Sequence, residues 1–539
     1  MASTNTADII ARRLYEAGCR YAFGIPGGEV LTLIDALDRA GLRFVLTKHE
    51  NSAGFMAEGI YQRTGAPGVL VATLGPGAAN AVNVVANAEQ DRVPLIFMTG
   101  CIDAEEADSY THQVIDHAAL FGSITKASFR MNAGNAALLI DKAVSIALED
   151  RPGPVHIDLP ISIAAAVQDG TRTWSANAMP APVQPAVGPD LEQARAWMAE
   201  AKRPIMVAGL DVMNHGASET LAAFAADFGV PLITTYKAKG VLPEDHPMAL
   251  GGAGLSPVAD KVLLPLAQQA DLILLAGYDP VEMRTGWKHV WNPARQRVVE
   301  FAATSNRHYM HQASLSFVCD VGAGLTALRD GLTPNGTWPD GEPARAKQQL
   351  IETFNPNEAW GPAAVVSTVR GVLPRDGIAT VDSGAHRILL SQIWEAYEPR
   401  SLLQSSGFCT MGCALPLAMG AKLAAPERPT VVFTGDACLE MILGELATLR
   451  DLAMPLVIVV FVDASLALIE LKQRARGLKR VGVGFGRTNF EAVAAAFGGC
   501  GVTVDNREDL TQAMEAALAA ERFTIIGCEI DAGAYEGRI

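Results

Sequence analysis

Three times along the chain a short, unbroken apolar run leads into a glycine turn, then a stretch of helical period, then a second apolar run opened by proline. The first copy reads PGVLVATLGPG and later VPLIFMTG, the second RPIMVAG and VPLITTY, the third RPTVVFTG and MPLVIVVF. Runs that are apolar at every position, without alternation, predict strands covered on both faces, as in parallel sheets joined by right-handed helical crossovers. Proline at the start of a strand sacrifices no ladder hydrogen bond. The recurrence predicts an α/β fold of three related, doubly wound parallel-sheet domains. Two proline-rich stretches, 169–190 and 331–362, lack periodicity apart from a short helical piece at 344–352, and read as connections. The domains are therefore expected at 1–168, 188–332 and 358–539. The N-terminal MASTNTADIIARRLYEAG has the pattern of an amphipathic helix.

Composition narrows the class. The 539 residues are 49% hydrophobic and only 19% charged, as expected of a chain with large buried cores. The net charge of -15 argues against a nucleic-acid surface but leaves room for a small anionic substrate held by local positive charge. The eight cysteines are scattered without a CxxC pair, which predicts buried free thiols in a reducing compartment. No apolar segment is long enough to span a bilayer and the N-terminus has no signal-like apolar stretch, so a cytoplasmic protein is expected.

The densest chemistry lies in FTGDACLEMILGELATLRDLAMPLVIVVFVDAS. A buried strand (430–434) runs into the turn Gly435-Asp436-Ala437, then a helix, then a second buried strand (456–462) ending in Asp463. In a parallel unit both strand ends lie at the ligand-binding edge of the sheet. Two carboxylates there, beside a helix N-terminus, suit a Mg2+ ion held against a diphosphate, although an acid at a turn also caps helices. Glu50 opens a helix after a strand at 43–47, where it can serve the helix dipole or act as a hydrogen-bonding catalytic group. Gly75-Pro76-Gly77 is a glycine turn of a kind that can cradle anions.

In order and spacing, FGIPGGEVLTLIDAL, KHENSAGFMAEG, TLGPGAAN, RPGPVHIDLP, VDSGAHR, GFCTMGCALPLAMGA and the 435–463 block resemble the thiamine diphosphate (ThDP) enzymes of the acetolactate synthase and pyruvate oxidase family, over nearly the whole chain. The resemblance implies pyrimidine-binding, middle and diphosphate-binding domains, and a homodimer or homotetramer with active sites between subunits. It implies that Glu50 hydrogen-bonds the cofactor's aminopyrimidine, and that Asp436, Asp463 and the carbonyl of Ser465 hold Mg2+. Asp463 stands where most of the family has Asn, as in the flavin-free catabolic acetolactate synthases, and Ala437 replaces a usual Gly. Met411 matches the residue that props the cofactor. Cys409 is expected at the aminopyrimidine amino group; Ser383, Gly384 and His386, with Gly435 and Ala437, at the diphosphate. Gly75 is placed on the cofactor side, and Gly28 and Gln113 on the substrate side, with Gln113 expected, beside Glu50, among the catalytic residues. Lys472 falls at the family's substrate-selecting position, within a basic run that could equally be a solvated helix face. The middle segment, with TYKAKGVL and GYDPVEMRTGWKHVW, is closer to the flavin-free members, so bound FAD is not expected. The implied activity is decarboxylation of a 2-oxo acid, pyruvate, and ligation to a second carbonyl. The alternatives are a relative with another, more anionic 2-oxo substrate or lyase chemistry, and a non-catalytic nucleotide-binding relative.

Overall fold

The computed structural model describes residues 4–106, 109–168, 181–306 and 308–539. Three six-stranded sheets, parallel throughout, follow one another along the chain. The first contains β1 (Tyr21–Ile25), β2 (Arg43–Leu46), β3 (Gly68–Ala72), β4 (Leu95–Cys101), β5 (Ala127–Arg130) and β6 (Pro154–Pro160), in the order β2-β1-β3-β4-β6-β5. The second contains β7 (Pro204–Ala208), β8 (Leu232–Thr235), β9 (Ala249–Ala253), β10 (Leu272–Ala276), β11 (Arg297–Ala302) and β12 (Leu315–Val318), in the order β12-β11-β10-β7-β8-β9. The third contains β13 (Ile378–Val381), β14 (Leu402–Gln404), β15 (Thr430–Gly435), β16 (Val457–Val462), β17 (Cys500–Val504) and β18 (Thr524–Glu529), in the order β14-β13-β15-β16-β18-β17.

The first and third sheets share one strand order, whereas the middle sheet has the order typical of dinucleotide-binding folds. The repeated unit seen in the sequence is therefore placed differently. It forms the third and fourth strands of the outer sheets (β3–β4, β15–β16) but the first and second of the middle one (β7–β8). A strand–helix–strand pattern specifies a local crossover and not its position in a sheet.

The helix Glu50–Thr64 is buried from Ser52 through Gln62, between β1 and β3 of its own sheet and the helix Ala414–Ala424 of the third. Phe55 and Met56 are fully buried in this shared core, each contributing about 1.5–3 kcal/mol over an exposed position. A second core joins the middle and third sheets through Trp287, Leu389 and Trp394.

Local readings differ from the structure at a few points. The proline-rich 331–362 stretch carries a 13-residue helix, Glu342–Phe354, whose Ala346, Leu350 and Phe354 are buried. The connection after Asp436 is two short helices, Asp436–Glu440 and Glu445–Asp451, broken before Gly444. Residues 169–180 of the other expected connection lie outside the described residues; a helix, Pro189–Glu200, begins at its end. All eight cysteines are free, and Cys409 and Cys500 are exposed rather than buried. Among the described residues no helix is long and apolar enough to cross a membrane.

Candidate active site

In the third sheet β13 and β15 are neighbours, while β14, which lies between them in sequence, sits on the far side of β13. The connections from β13 and β15 therefore diverge and leave a crevice beyond the strands' C-terminal ends, where ligands bind in such sheets. A cleft of about 1060 Å³ opens there. From the turn after β13 it is lined by Ser383, Gly384 and His386; from the turns after β15 and β16 by Gly435, Asp436, Ala437, Asp463 and Ser465. Cys409 and Met411 form another wall, and Lys472, exposed on the helix Ala467–Ala475, stands in its lining.

The acids are held by backbone. Asp436 Oδ1 accepts the Ala437 N–H (2.8 Å), and Oδ2 accepts those of Asp463 (3.1 Å) and Ala464 (2.7 Å). Ala464 is left-handed (φ 53°), which turns the chain after β16 so that these amides point back at Asp436. Asp463 Oδ1 accepts the Ser465 N–H at 3.0 Å. Burial raises the pKa of Asp436, and burial followed by the neighbouring Asp436 charge pushes Asp463 up to about 7. Two buried carboxylates, the charge of Asp436 disfavouring that of Asp463, form a hard-oxygen site that a divalent cation would stabilise.

Beside them, the helix Ala385–Ile393 presents its N-terminus to the cleft with Gly384 as N-cap and no side-chain cap. Ser383 Oγ and His386 Nε2 are buried without a hydrogen-bond partner. His386 lies parallel to Phe461 (centroids 5.3 Å apart), and burial presses its pKa down to about 3, so the ring is neutral. Free helix amides and orphaned polar atoms at the mouth of a two-acid site fit an anionic group bridged by a cation. The wall at Cys409 (φ 55°) is buttressed by Arg387, which donates to the Ser405 carbonyl (2.7 Å) and to Cys409 Sγ (3.2 Å).

The residues expected from the first sheet gather elsewhere. Glu50, 4% exposed, accepts from Asn80 Nδ2 at 2.9 Å. Gly77 leaves it room: a methyl group there would stand 3.2 Å from Glu50 Oε1. Gly75 (φ 61°) N-caps the helix Pro76–Asn80 and passes so close to Gln113 that a methyl group would fall 2.4 Å from the Gln113 carbonyl oxygen. Gln113 itself is exposed. The Gly75 N–H donates to His117 Nε2 (3.2 Å), and His117 Nδ1 lies 2.7 Å from Asp158, an arrangement that assigns the ring proton to Nδ1. Gly28 opens a short 3-10 turn with free space around its Cα. The structure thus brings Gly75 and Gln113 together, but neither these two nor Gly28 and Glu50 line the third-sheet cleft.

Several structurally important residues escaped the sequence reading. Asp382 is fully buried and accepts the N–H groups of Cys413 (2.6 Å) and Ala414 (2.9 Å) and the Thr434 hydroxyl (2.7 Å), tying β13, β15 and the helix Ala414–Ala424 together. Its place just before Ser383 was a usable signal. His117 with Asp158, and Lys237 with Asp91 and Glu58, had none, because their partners are far apart in sequence.

Sequence comparison matches this geometry. The thiamine pyrophosphate enzyme N-terminal TPP binding domain model matches residues 4–120, the central domain model 191–328 and the C-terminal TPP binding domain model 382–528. The acetolactate synthase large subunit of Corynebacterium glutamicum is 30% identical over 478 residues, covering 86% of this chain and 75% of its own length. The acetolactate synthase of Bacillus subtilis is 28% identical over 97% of this chain and 93% of its own length. A protein named catabolic acetolactate synthase from Raoultella terrigena is also 28% identical, over 97% of this chain and 95% of its own length. These similar values do not single out the catabolic subgroup. The chain belongs to the acetolactate synthase family of thiamine pyrophosphate enzymes.

Proposed function

We propose that this protein decarboxylates pyruvate and joins the remaining two-carbon unit to a second carbonyl compound, with ThDP and Mg2+ as cofactors. With pyruvate in both roles, two pyruvates yield 2-acetolactate and carbon dioxide. The observation that supports this most is the pairing of Asp436 and Asp463 beside the unpartnered Ser383 and His386 at the β13/β15 crevice. Asp436, Asp463 and the Ser465 carbonyl would hold Mg2+. The turns at Ser383–Gly384 and Gly435–Ala437, with His386, would receive the diphosphate. Cys409, through its backbone, and Met411 would contact the rest of the cofactor. When bound, ThDP supplies the carbon nucleophile and the electron sink for decarboxylation. Glu50, buried and oriented by Asn80, is suited to hold a proton against the aminopyrimidine. Gly28, Gly75 and Gln113 would face the reacting end, with Lys472 on the substrate side.

Since Glu50 does not line its own chain's cleft, a second copy would have to present its Glu50 there, and the functional unit proposed is a homodimer or a pair of dimers. Flavin is left out of the proposal. At the dinucleotide end of the middle sheet a methyl group at Gly209 would stand 2.4 Å from the Gly277 carbonyl oxygen, and Asp279 is paired with Arg92 (3.0 Å) and Arg151 (3.4 Å). The test is incubation with ThDP, Mg2+ and a panel of 2-oxo acids while both carbon dioxide and ligated products are measured. Product 2-acetolactate from pyruvate is expected. Carbon dioxide without a ligated product, or no ThDP-dependent turnover of any 2-oxo acid, would refute the assignment.

A further inference from the structure

Lys237 follows β8 of the middle sheet, yet its ammonium is buried among groups of the first and third. It donates to Asp91 Oδ2 (2.8 Å) and to the Gln404 carbonyl (3.0 Å), and stands 3.5 Å from Glu58 Oε1. The Asp91 carboxylate also accepts the N–H groups of Ser406 (3.1 Å) and Gly407 (2.7 Å). Glu58 Oε2 accepts from Asn87 Nδ2 (3.1 Å), and Asn87 Oδ1 accepts the Ser405 hydroxyl (2.6 Å). Ser405 Oγ takes the Thr410 N–H (2.9 Å), and the Thr410 hydroxyl donates to Asn83 Oδ1 (3.1 Å).

The backbone N–H groups of Ser406 and Gly407 and the Ser405 hydroxyl are therefore held by this buried cluster, while Arg387 holds the Ser405 carbonyl and Cys409 Sγ from the other side. The same segment brings Cys409 and Met411 to the cleft wall, and Glu58 lies on the helix that Glu50 opens. Two buried carboxylates require a cation. Burial, the largest influence, together with the Asp91 charge outweighs the opposing pull of Lys237 and pushes Glu58 up to about 7. Removing the ammonium would leave Asp91 uncompensated where it must accept two backbone amides.

We propose that Lys237 is a positioning residue for the cofactor cleft: through Asp91 and Glu58 it fixes the 405–411 segment, and with it Cys409 and Met411, relative to the helix that bears Glu50. This gives the middle domain a part in building the active site, and it rests on reading the cleft as the ThDP site.

Lys239 supplies the control. It is also buried, more deeply than Lys237, and pairs with Glu244 at 2.6 Å; Glu244 accepts the Ala396 N–H at 2.8 Å, so the pair crosses to the third domain without touching residues 405–411. ThDP affinity in the presence of Mg2+ and amide hydrogen exchange of the cofactor-free protein are measured for wild type, Lys237→Met, Asp91→Asn, the double variant and Lys239→Met. Each of Lys237→Met and Asp91→Asn should raise the ThDP Kd about tenfold or more, with a double variant weaker than either but by less than the product of the two. Both should speed exchange at 405–411. Lys239→Met should lower the thermal midpoint yet bind ThDP as wild type does. A wild-type Kd and wild-type exchange in Lys237→Met overturn the proposal. So does a Kd raised as much by Lys239→Met, which would mark a general softening. If Lys237→Met does not fold, Asp91→Asn decides by the same two readouts. A wild-type protein that binds no ThDP refutes the cofactor reading instead, and exchange at 405–411 then still tests the positioning claim.

Discussion

Gly59 and Gly420 face each other where the helix Glu50–Thr64 crosses the helix Ala414–Ala424. A methyl group at Gly59 would stand 2.3 Å from the Leu417 carbonyl oxygen, and one at Gly420 2.0 Å from that of Met56. The obstacles are backbone atoms of regular helices, which cannot swing aside as a side chain can. Gly59→Ala or Gly420→Ala is therefore expected to destabilise the protein by at least about 1–3 kcal/mol, the usual range for overpacking. Denaturant unfolding measures it, and an unchanged midpoint would show that the helices separate at no cost.

Glu50→Gln should leave the fold and ThDP binding intact while removing most turnover. The amide preserves the shape and the contact with Asn80 but cannot carry the carboxylate's negative charge. Near wild-type turnover with pyruvate would remove Glu50 from its proposed role.

For the metal, Asp436→Ala should abolish ThDP retention. It deletes a ligand and also the acceptor of three backbone N–H groups that shape the turn. Asp463→Asn should be tolerated, because an amide oxygen can still ligate and can still accept the Ser465 N–H. Equilibrium dialysis of ThDP with and without Mg2+ checks both; the reverse pattern would invalidate the ligand assignment.

Burial presses the pKa of His156 and of His311 down to about 4 and that of His386 to about 3, from 6.5 when exposed. Below pH 6.5 the unfolded chain thus binds protons that the folded chain refuses. Their contribution to stability is complete above the unfolded value and is lost as the pH falls toward the folded one, at about 1.4 kcal/mol per pH unit for each histidine. Asp463 and Glu58, raised to about 7, and Asp211, raised to about 6, titrate in the same window with the opposite sign, so urea unfolding of the cofactor-free protein between about pH 7 and pH 5 reads the histidine share as a difference between wild type and variant. His156→Gln, which retains polar groups toward Thr99 and Ser128, should lower the slope by one histidine's share. A variant with the wild-type slope would place the titration elsewhere.

Lys472→Gln should alter the ranking of substrates if the exposed ammonium in the cleft lining meets an anion on the substrate. A charge-assisted hydrogen bond of about 1.5–3 kcal/mol shifts preference by one to two powers of ten. The comparison is pyruvate alone against pyruvate with dicarboxylic or sulfonated oxo compounds. An unchanged ranking would assign Lys472 to the solvated basic run that continues through Arg474 and Arg476.

Everything legible along the chain lies within single crossover units. Apolar runs mark the strands, and connectivity puts the ends of β15 and β16 on one edge, so the pairing of Asp436 with Asp463 follows from chain order. A glycine turn likewise locates Gly75, whereas Ser383 and Gly384 were reached through the family resemblance of VDSGAHR. Relations between units are set by long-range packing instead. The distinct strand order of the middle sheet leaves no trace in the pattern, because the same strand–helix–strand unit serves at several places in a sheet. Lys237, Asp91 and Glu58 read as ordinary polar positions, since charge pairing across 146 residues leaves no local periodicity. That Glu50 does not line its own chain's cleft is likewise a relation between domains, whose helices meet at Gly59 and Gly420. Side-chain pattern records which face of an element is buried, whereas the partner of that face is chosen by contacts between segments far apart along the chain.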